Sequence, residues 1–109
     1  MSDLWHLAER AHWDEALAAG RYERSTRGLS LADEGFVHCS YPDQLAGVGA
    51  RFYADAGDLV LLRIDPARVP AEVRVEGGFP HVYGPIPVAA VTAATPVRRD
   101  AAGQLVLPD

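Results

Sequence analysis

The sequence has a single cysteine, Cys39, so no disulfide can form within the chain. No apolar run approaches the ~20 residues that a membrane-spanning helix needs, and the first residues lack the basic and apolar regions of a signal peptide. Cations are also few, since 10 Lys and Arg against 15 Asp and Glu give a formal net charge of −5. These absences predict a cytoplasmic protein that binds neither membranes nor, because affinity for phosphates comes from cations, nucleic acid.

Apolar and aromatic residues are plentiful, at 49% of the chain. This share is enough to form a hydrophobic core, and the length is that of one compact unit. We therefore predict a single domain over residues 1–109.

The order of helix and strand patterns predicts an α+β fold. Helical periodicity occurs early, at residues 11–19 with Gly20 at the C-terminal end, and again after residue 40. Between them, residues 30–34 could form one helical turn that is closed by Gly35. Strand patterns occur at residues 4–7, 36–39, 59–64, 73–76, 88–97 and, at an edge, 105–107. The run at 59–64 is the most apolar in the chain and fits a central strand that is covered on both faces. Residues 21–30 and 77–87 are predicted to be irregular or turn-rich. Because strands and helices do not alternate, we expect a twisted, mainly antiparallel sheet with two or three short helices.

The strand at residues 36–39 carries the first candidate site. Alternation places His38 and Ser40 on one face and Val37 and Cys39 on the other, so that Cys39 is a buried structural thiol if Val37 faces the core. The stretch from Ser40 to Asp43 resembles a capping box, which would make Ser40 the N-cap of a helix whose free N–H groups attract an anionic ligand. The alternative is a histidine that only bonds a neighbouring loop and a serine that only caps.

The second candidate site lies in the glycine- and proline-rich residues 76–85. His81 has an ordinary pKa near 6.5, so it can donate or accept a proton at neutral pH. Tyr83 lies two residues further on, and Glu76 could orient His81 or act as a base itself. The alternative is that His81 and Tyr83 merely fix the loop through hydrogen bonds to the backbone.

Three weaker candidates remain. Ser25 lies with Thr26 among Arg21, Arg24 and Arg27, which is either a phosphate cradle or a solvated loop. His6, on the first strand, could enter the same cleft as His38. A metal site would need His6, His38, Cys39 and His81 to converge, but adjacent strand residues point apart and no C-x-x-C or H-x-x-x-H spacing occurs, so no metal is expected.

Three motifs together resemble a bacterial domain-of-unknown-function family, number 952. They are Gly20-Arg21-Tyr22 with Ser25, the stretch 31–40 ending in EGFVHCS with Gln44, and FPHVYGP at 79–85. The resemblance extends over about residues 5–97. It implies an ADP-ribosyltransferase-like fold, a split antiparallel sheet whose enzymes hold NAD in a cleft. A fainter likeness to NAD-using RNA 2′-phosphotransferases rests on His6, Gly20 and Val37-His38 with Ser40, but their His-Gly-Thr signature is absent because Leu7-Ala8 follows His6.

The resemblance implies a small NAD- or nucleotide-binding, transferase-like enzyme. In it Ser40 would face the phosphates, His38 and His6 would bind ribose or nicotinamide, and His81, Tyr83 and Glu76 would perform acid–base work. Two other readings stay open: a non-enzymatic module that binds a small metabolite or a protein, and a small hydrolase that uses His81 and Glu76.

Overall fold

A curled antiparallel sheet with short helices beside it makes up the fold. The computed structural model describes residues 3–25, 29–53, 57–102 and 105–106, apart from the side chain of Phe52. Within these residues the strands are β1 (Leu4–Glu9), β2 (Arg21–Tyr22), β3 (Val37–His38), β4 (Leu59–Ile64), β5 (Val73–Glu76), β6 (Phe79–Val82), β7 (Ile86–Pro87), β8 (Val91–Arg99) and β9 (Leu105–Val106). The helices are α1 (Arg10–Ala19), α2 (Leu31–Glu34) and α3 (Leu45–Phe52), and 3₁₀ turns occur at Pro42–Gln44, Pro66–Arg68 and Val88–Ala90.

The described strands form two larger sheets and a two-stranded one, and a β-bridge joins the two larger sheets. Strands β1, β4, β8 and β9 are neighbours in that order, β3, β6 and β5 form a second sheet, and β2 pairs with β7. Trp5 and Ser40 join the two larger sheets, since their backbone N–H and C=O groups bond reciprocally at 2.9 and 2.7 Å. Every strand pair among the described residues is antiparallel. The predicted α+β class with an antiparallel sheet is confirmed.

Strand β4 lies at the centre of the larger sheet and is covered on both faces. Val60, Leu62 and Ile64 belong to one group of buried side chains, whereas Leu59 and Leu61 belong to another on the opposite face. A continuous apolar run is typical of a strand buried on both sides. The prediction of a central strand at residues 59–64 is therefore confirmed.

Two local predictions near the first helices are also confirmed. Helix α1 ends at Gly20, whose φ of 86° is in the left-handed region that glycine adopts without steric cost. The predicted helical turn after Ser30 is α2, where Ser30 and Asp33 form a reciprocal capping box. No helix formed by the described residues is long and apolar enough to cross a membrane.

The region predicted as a turn-rich loop, residues 77–87, is largely strand. Gly77 and Gly78 have φ values of 60° and 85°, as a type I′ turn requires at both central positions. This turn joins β5 directly to β6 and sets Glu76 opposite Phe79. Pro80 takes part in the ladder between β6 and β3 through its carbonyl, which accepts a bond from the Cys39 N–H at 2.9 Å. The loop prediction is wrong because the glycine pair closes a hairpin.

Three element boundaries also differ from the sequence predictions. Ser40 is not a helix cap, because its backbone is paired with Trp5; Tyr41 precedes the 3₁₀ turn instead, and the Gln44 Oε1 accepts its N–H at 2.9 Å. The strand predicted at residues 88–97 begins only at Val91, since a 3₁₀ turn comes first. Within the segment predicted to be irregular, β2 forms because it can pair with β7. The edge strand is confirmed at Leu105–Val106, and residue 107 lies outside the described residues.

Candidate functional site

The small sheet β3-β6-β5 has one face against the core and one that is polar and aromatic. On the inner side Val37 is paired with Val82, and both are fully buried. Because side chains alternate along strands, the next residues lie on the opposite side, which we call the outer face. It consists of His38 from β3 with Phe36 before it, Phe79 and His81 from β6 with Tyr83 after it, and Arg74 and Glu76 from β5.

His38 and His81 are direct cross-strand neighbours on the outer face. They are paired in the register of β3 and β6, and their ring centroids are 5.2 Å apart. The next pair, Cys39 and Pro80, is hydrogen-bonded, so His38 and His81 occupy a non-hydrogen-bonded position, where side chains approach more closely. Burial, followed by the charge of His81, lowers the pKa of His38. The structure thus brings together the two histidines that the sequence singled out.

Glu76 connects two of the other predicted residues. Its Oε1 lies 2.9 Å from the Nδ1 of His81 and also accepts a hydrogen bond from the Tyr83 hydroxyl. Both hydrogen bonds lower the pKa of Glu76, and the bond from Tyr83 has the larger effect. The hydrogen bond to the same carboxylate raises the pKa of Tyr83. The side chains of His81 and Tyr83 therefore bond to a carboxylate on the neighbouring strand, rather than to backbone as the alternative reading expected.

The geometry also defines which nitrogen of His81 is available. In the neutral imidazole with Nδ1–H donating to Glu76, Nε2 carries the lone pair. Among the described residues, the side-chain hydrogen bond of His81 is the one that Nδ1 makes with Glu76. The His81 side chain is 13% exposed. A base oriented by a carboxylate, with its second nitrogen available, can take or give a proton.

Aromatic rings surround the two histidines. Phe36 stacks on His81 with centroids 4.1 Å apart and an interplanar angle of 13°, and Phe79 lies 4.9 Å from His38. Arg74 stands over the ring of Tyr83, its Cζ 4.8 Å from the centroid, and is also paired with Glu72. The outer face thus combines flat rings, a carboxylate–imidazole pair and one guanidinium.

Sequence reasoning missed Phe36, Phe79 and Arg74. The signal that could have found them is the Glu76-Gly77-Gly78-Phe79 stretch, because a two-residue glycine loop between strands fixes the hairpin register. From that register, alternation alone assigns Arg74, Glu76, Phe79 and His81 to one face.

His6 lies inside the protein rather than on the outer face. It is 3% exposed, its Nδ1 is 2.6 Å from the His38 carbonyl oxygen, and its Nε2 is 2.9 Å from the Tyr22 hydroxyl. A carbonyl can only accept, so Nδ1 carries the hydrogen and the neutral Nε2 accepts from Tyr22. Burial lowers the pKa of His6 to about 4 and raises the pKa of Tyr22. The His6 ring thus hydrogen-bonds to the main chain of His38 inside the protein.

The two serines predicted to bind a cofactor are buried as well. Ser25 is 3% exposed and its Oγ accepts the His38 N–H at 3.3 Å, while Ser40 is 2% exposed. Arg21 and Arg24 pair with Glu23 and Glu15, at 2.6 and 3.1 Å, and Thr26 and Arg27 lie outside the described residues. None of the described members of this set joins the outer face. Among the described residues no cluster of His, Cys, Asp and Glu has the form of a metal site.

The thiol of Cys39 is fully buried on the inner side, as alternation predicted. Burial raises its pKa to about 12, and a thiol reacts as its thiolate. We expect a neutral disulfide reagent at pH 8 to leave the native protein unmodified over an hour, and to modify one thiol per chain within minutes in 6 M guanidinium chloride. Rapid colour development from native protein would contradict the structural role of Cys39.

Comparison with known proteins gives a family and a related fold. The family model described as "Protein of unknown function (DUF952)" matches residues 7–94. The crystal structure of Protein CC0527 from Caulobacter crescentus is similar, with a TM-score of 0.80 and 29% identity over 96% of this chain and 94% of that chain. Its solution NMR structure gives a TM-score of 0.70 and 31% identity, over 95% and 91%. Among curated proteins nothing matches.

Proposed function

The chain belongs to the DUF952 family of proteins of unknown function, and we propose that it binds a nucleotide, with NAD as the first candidate, on the outer face and acts on it as a transferase-like enzyme. The likeness of the sequence motifs to the ADP-ribosyltransferase fold suggests the class of ligand. The residues of the outer face suggest how such a ligand is held.

One observation carries the proposal: the 2.9 Å contact between Glu76 and His81 beneath the stacked ring of Phe36. A carboxylate that fixes an imidazole on a strand supplies a preoriented acid or base. The aromatic side chains beside it supply a platform for a planar nucleobase, since every nucleobase can stack on an aromatic ring. A sheet with only a structural role needs neither a carboxylate–imidazole pair nor a group of aromatic rings on its solvent side.

The outer face fits the nicotinamide end of NAD better than the phosphates. A nicotinamide ring in NAD is flat and positively charged, so it is suited to aromatic faces next to the Glu76 carboxylate. Arg74 supplies a guanidinium on this face, and it forms an ion pair with Glu72. When bound, NAD supplies a glycosidic bond that can be broken with loss of nicotinamide.

Each residue of the site then has a role that follows from its contacts. His38 from β3 and Phe79 from β6 hold the flat ring, and Arg74 attracts the phosphates. Glu76 keeps Nδ1 of His81 protonated, so that Nε2 receives a proton from an incoming hydroxyl or amine. Tyr83 fixes the position of Glu76 Oε1, the carboxylate oxygen that also contacts His81.

A hydrolase is the second candidate, because the same Nε2 of His81 can take a proton from water instead of from a substrate hydroxyl or amine. The two candidates differ in their products. Transfer leaves the ADP-ribosyl group on an acceptor, whereas hydrolysis releases it free.

Calorimetric titration with NAD, ADP-ribose and AMP tests the proposed binding. We expect NAD to bind, and His38→Ala to weaken binding about tenfold, since stacking on one aromatic side chain contributes ~1–3 kcal/mol. Val75→Ala is the matched control, because Val75 is exposed on the same hairpin but points to the opposite face. Absence of binding by all three ligands at millimolar concentration would refute the proposed function, and an equal loss in both variants would show that the outer face is not the site.

A further inference from the structure

A groove adjoins the outer face at Tyr83. It is open to solvent and has a volume of about 570 Å³, and its walls include three prolines, Pro70, Pro85 and Pro87, together with Ala71, Arg21 and Tyr83. We call it the proline groove. Tyr83 belongs to both surfaces, because its hydroxyl bonds to Glu76 on the outer face while the residue also lines the groove. A ligand that extends past Tyr83 therefore contacts both.

The walls of the proline groove are rigid. Proline has a fixed φ, so its three rings lose little freedom when a ligand binds. Gly84 packs so closely on Ala71 that a Cβ added at Gly84 would lie 2.7 Å from the Cβ of Ala71. The two sides of the groove are thus held together at the residue that follows Tyr83.

Two guanidinium groups are located where the two surfaces meet, and each forms an ion pair with a glutamate. The guanidinium of Arg74 stands over the Tyr83 ring, and Arg21 lines the groove itself. Both are paired with glutamates, Glu72 and Glu23, but exposed ion pairs of this kind contribute little to stability. An anionic group can therefore exchange with these carboxylates at small cost.

We propose that the proline groove is the second half of the binding site and that it takes the second nucleoside of a dinucleotide. The first ring of that ligand lies on the outer face, and its diphosphate lies at Arg74. A volume of about 570 Å³ is within the usual range for small-molecule sites, ~300–1,000 Å³, and apolar walls with few polar groups are typical of them. This inference rests on the proposed nucleotide function and defines the ligand as a dinucleotide rather than a mononucleotide.

A pair of tryptophan substitutions on α1 tests the groove. Ala19 lines it, whereas Ala18 is also exposed on the same helix and does not line it. Ala19→Trp adds an indole at the wall of the groove, where it is expected to reduce the space for a ligand, and Ala18→Trp adds the same indole at a position that does not line the groove. The dissociation constants of NAD and nicotinamide mononucleotide are measured by calorimetry for wild type and for both variants.

We expect wild type to bind NAD at least tenfold more tightly than the mononucleotide. Ala19→Trp should remove this difference by weakening NAD alone, and Ala18→Trp should leave both constants unchanged. Equal wild-type affinities, or an Ala19→Trp variant that keeps the preference for NAD, would overturn the groove while leaving nucleotide binding intact. If neither nucleotide binds wild type, the proposed function itself fails, and the groove assignment fails with it.

Discussion

His6→Ala is expected to lower the free energy of unfolding by roughly 3–5 kcal/mol at pH 7. The substitution removes the partner of two buried groups, the His38 carbonyl and the Tyr22 hydroxyl, and each unpaired buried group costs ~1–3 kcal/mol. The missing ring also leaves a cavity, because the residue is 3% exposed and closely surrounded. Urea unfolding followed by tryptophan fluorescence measures the loss.

His6 should also make the fold sensitive to acid. Its pKa is about 4 in the folded protein and about 6.5 in the unfolded chain, so the unfolded state binds more protons between these values. Stability contributed by the neutral ring is therefore complete above pH 6.5 and falls as the pH decreases toward 4. The difference corresponds to a loss on the order of 3 kcal/mol, at ~1.4 kcal/mol per pH unit.

Two variants isolate the contribution of His6. His6→Phe keeps an aromatic ring but cannot be protonated, so it should be less stable at pH 7 and lose much less of its remaining stability between pH 7 and 4.5. His12→Ala is the control, since His12 is partly exposed in an i,i+3 pair with Glu9, and should change stability by less than about 1 kcal/mol. Parallel pH profiles for wild type and His6→Phe would contradict the buried neutral imidazole.

His81→Phe is expected to reduce turnover by 10²- to 10⁴-fold while changing nucleotide affinity only a few-fold. The phenyl ring preserves the stack on Phe36 but carries no proton, and that range is typical for the loss of a general acid or base. Release of nicotinamide from NAD, measured by chromatography with and without an acceptor amine or alcohol, gives the rate. The ADP-ribosyl product, either attached to the acceptor or released as free ADP-ribose, distinguishes transfer from hydrolysis.

Glu76→Gln provides an independent check on the same site. It preserves the size of the side chain but removes the negative charge that orients His81, so turnover should fall less than in His81→Phe. Val75→Ala, on the opposite face of the hairpin, should leave the rate unchanged. A His81→Phe variant that releases nicotinamide as fast as wild type would exclude the proposed proton transfer by His81.

Patterns within single elements were predictable from the sequence. The apolar run at residues 59–64 is recognisable because burial on both faces removes any need for polar alternation. Alternation within residues 36–39 also correctly placed Val37 and Cys39 in the core and His38 on the other side. Both inferences need only the geometry of one strand.

Features that depend on two distant segments were not predictable. Ser40 has the sequence of a helix cap, but the backbone of Trp5 competes for its N–H and C=O and pairs it into the sheet. His6 is polar and was assigned to the cleft, because nothing near it in sequence reveals that Tyr22 and the His38 carbonyl satisfy both ring nitrogens. Burial of a polar side chain depends on partners that only the fold brings together.

The Gly77-Gly78 turn has a consequence for the order in which the outer face is assembled. The hairpin of β5 and β6 closes over two residues, and isolated hairpins form in ~1–10 μs. Glu76 and His81 can therefore meet while most of the chain is still unfolded. Strand β3 pairs with β6 across more than 40 positions, and β1 pairs with β4 across a similar or longer separation, so both contacts must overcome a larger loop-closure entropy. The carboxylate–imidazole pair is thus a local product of the chain, and His38 is added to it by long-range folding.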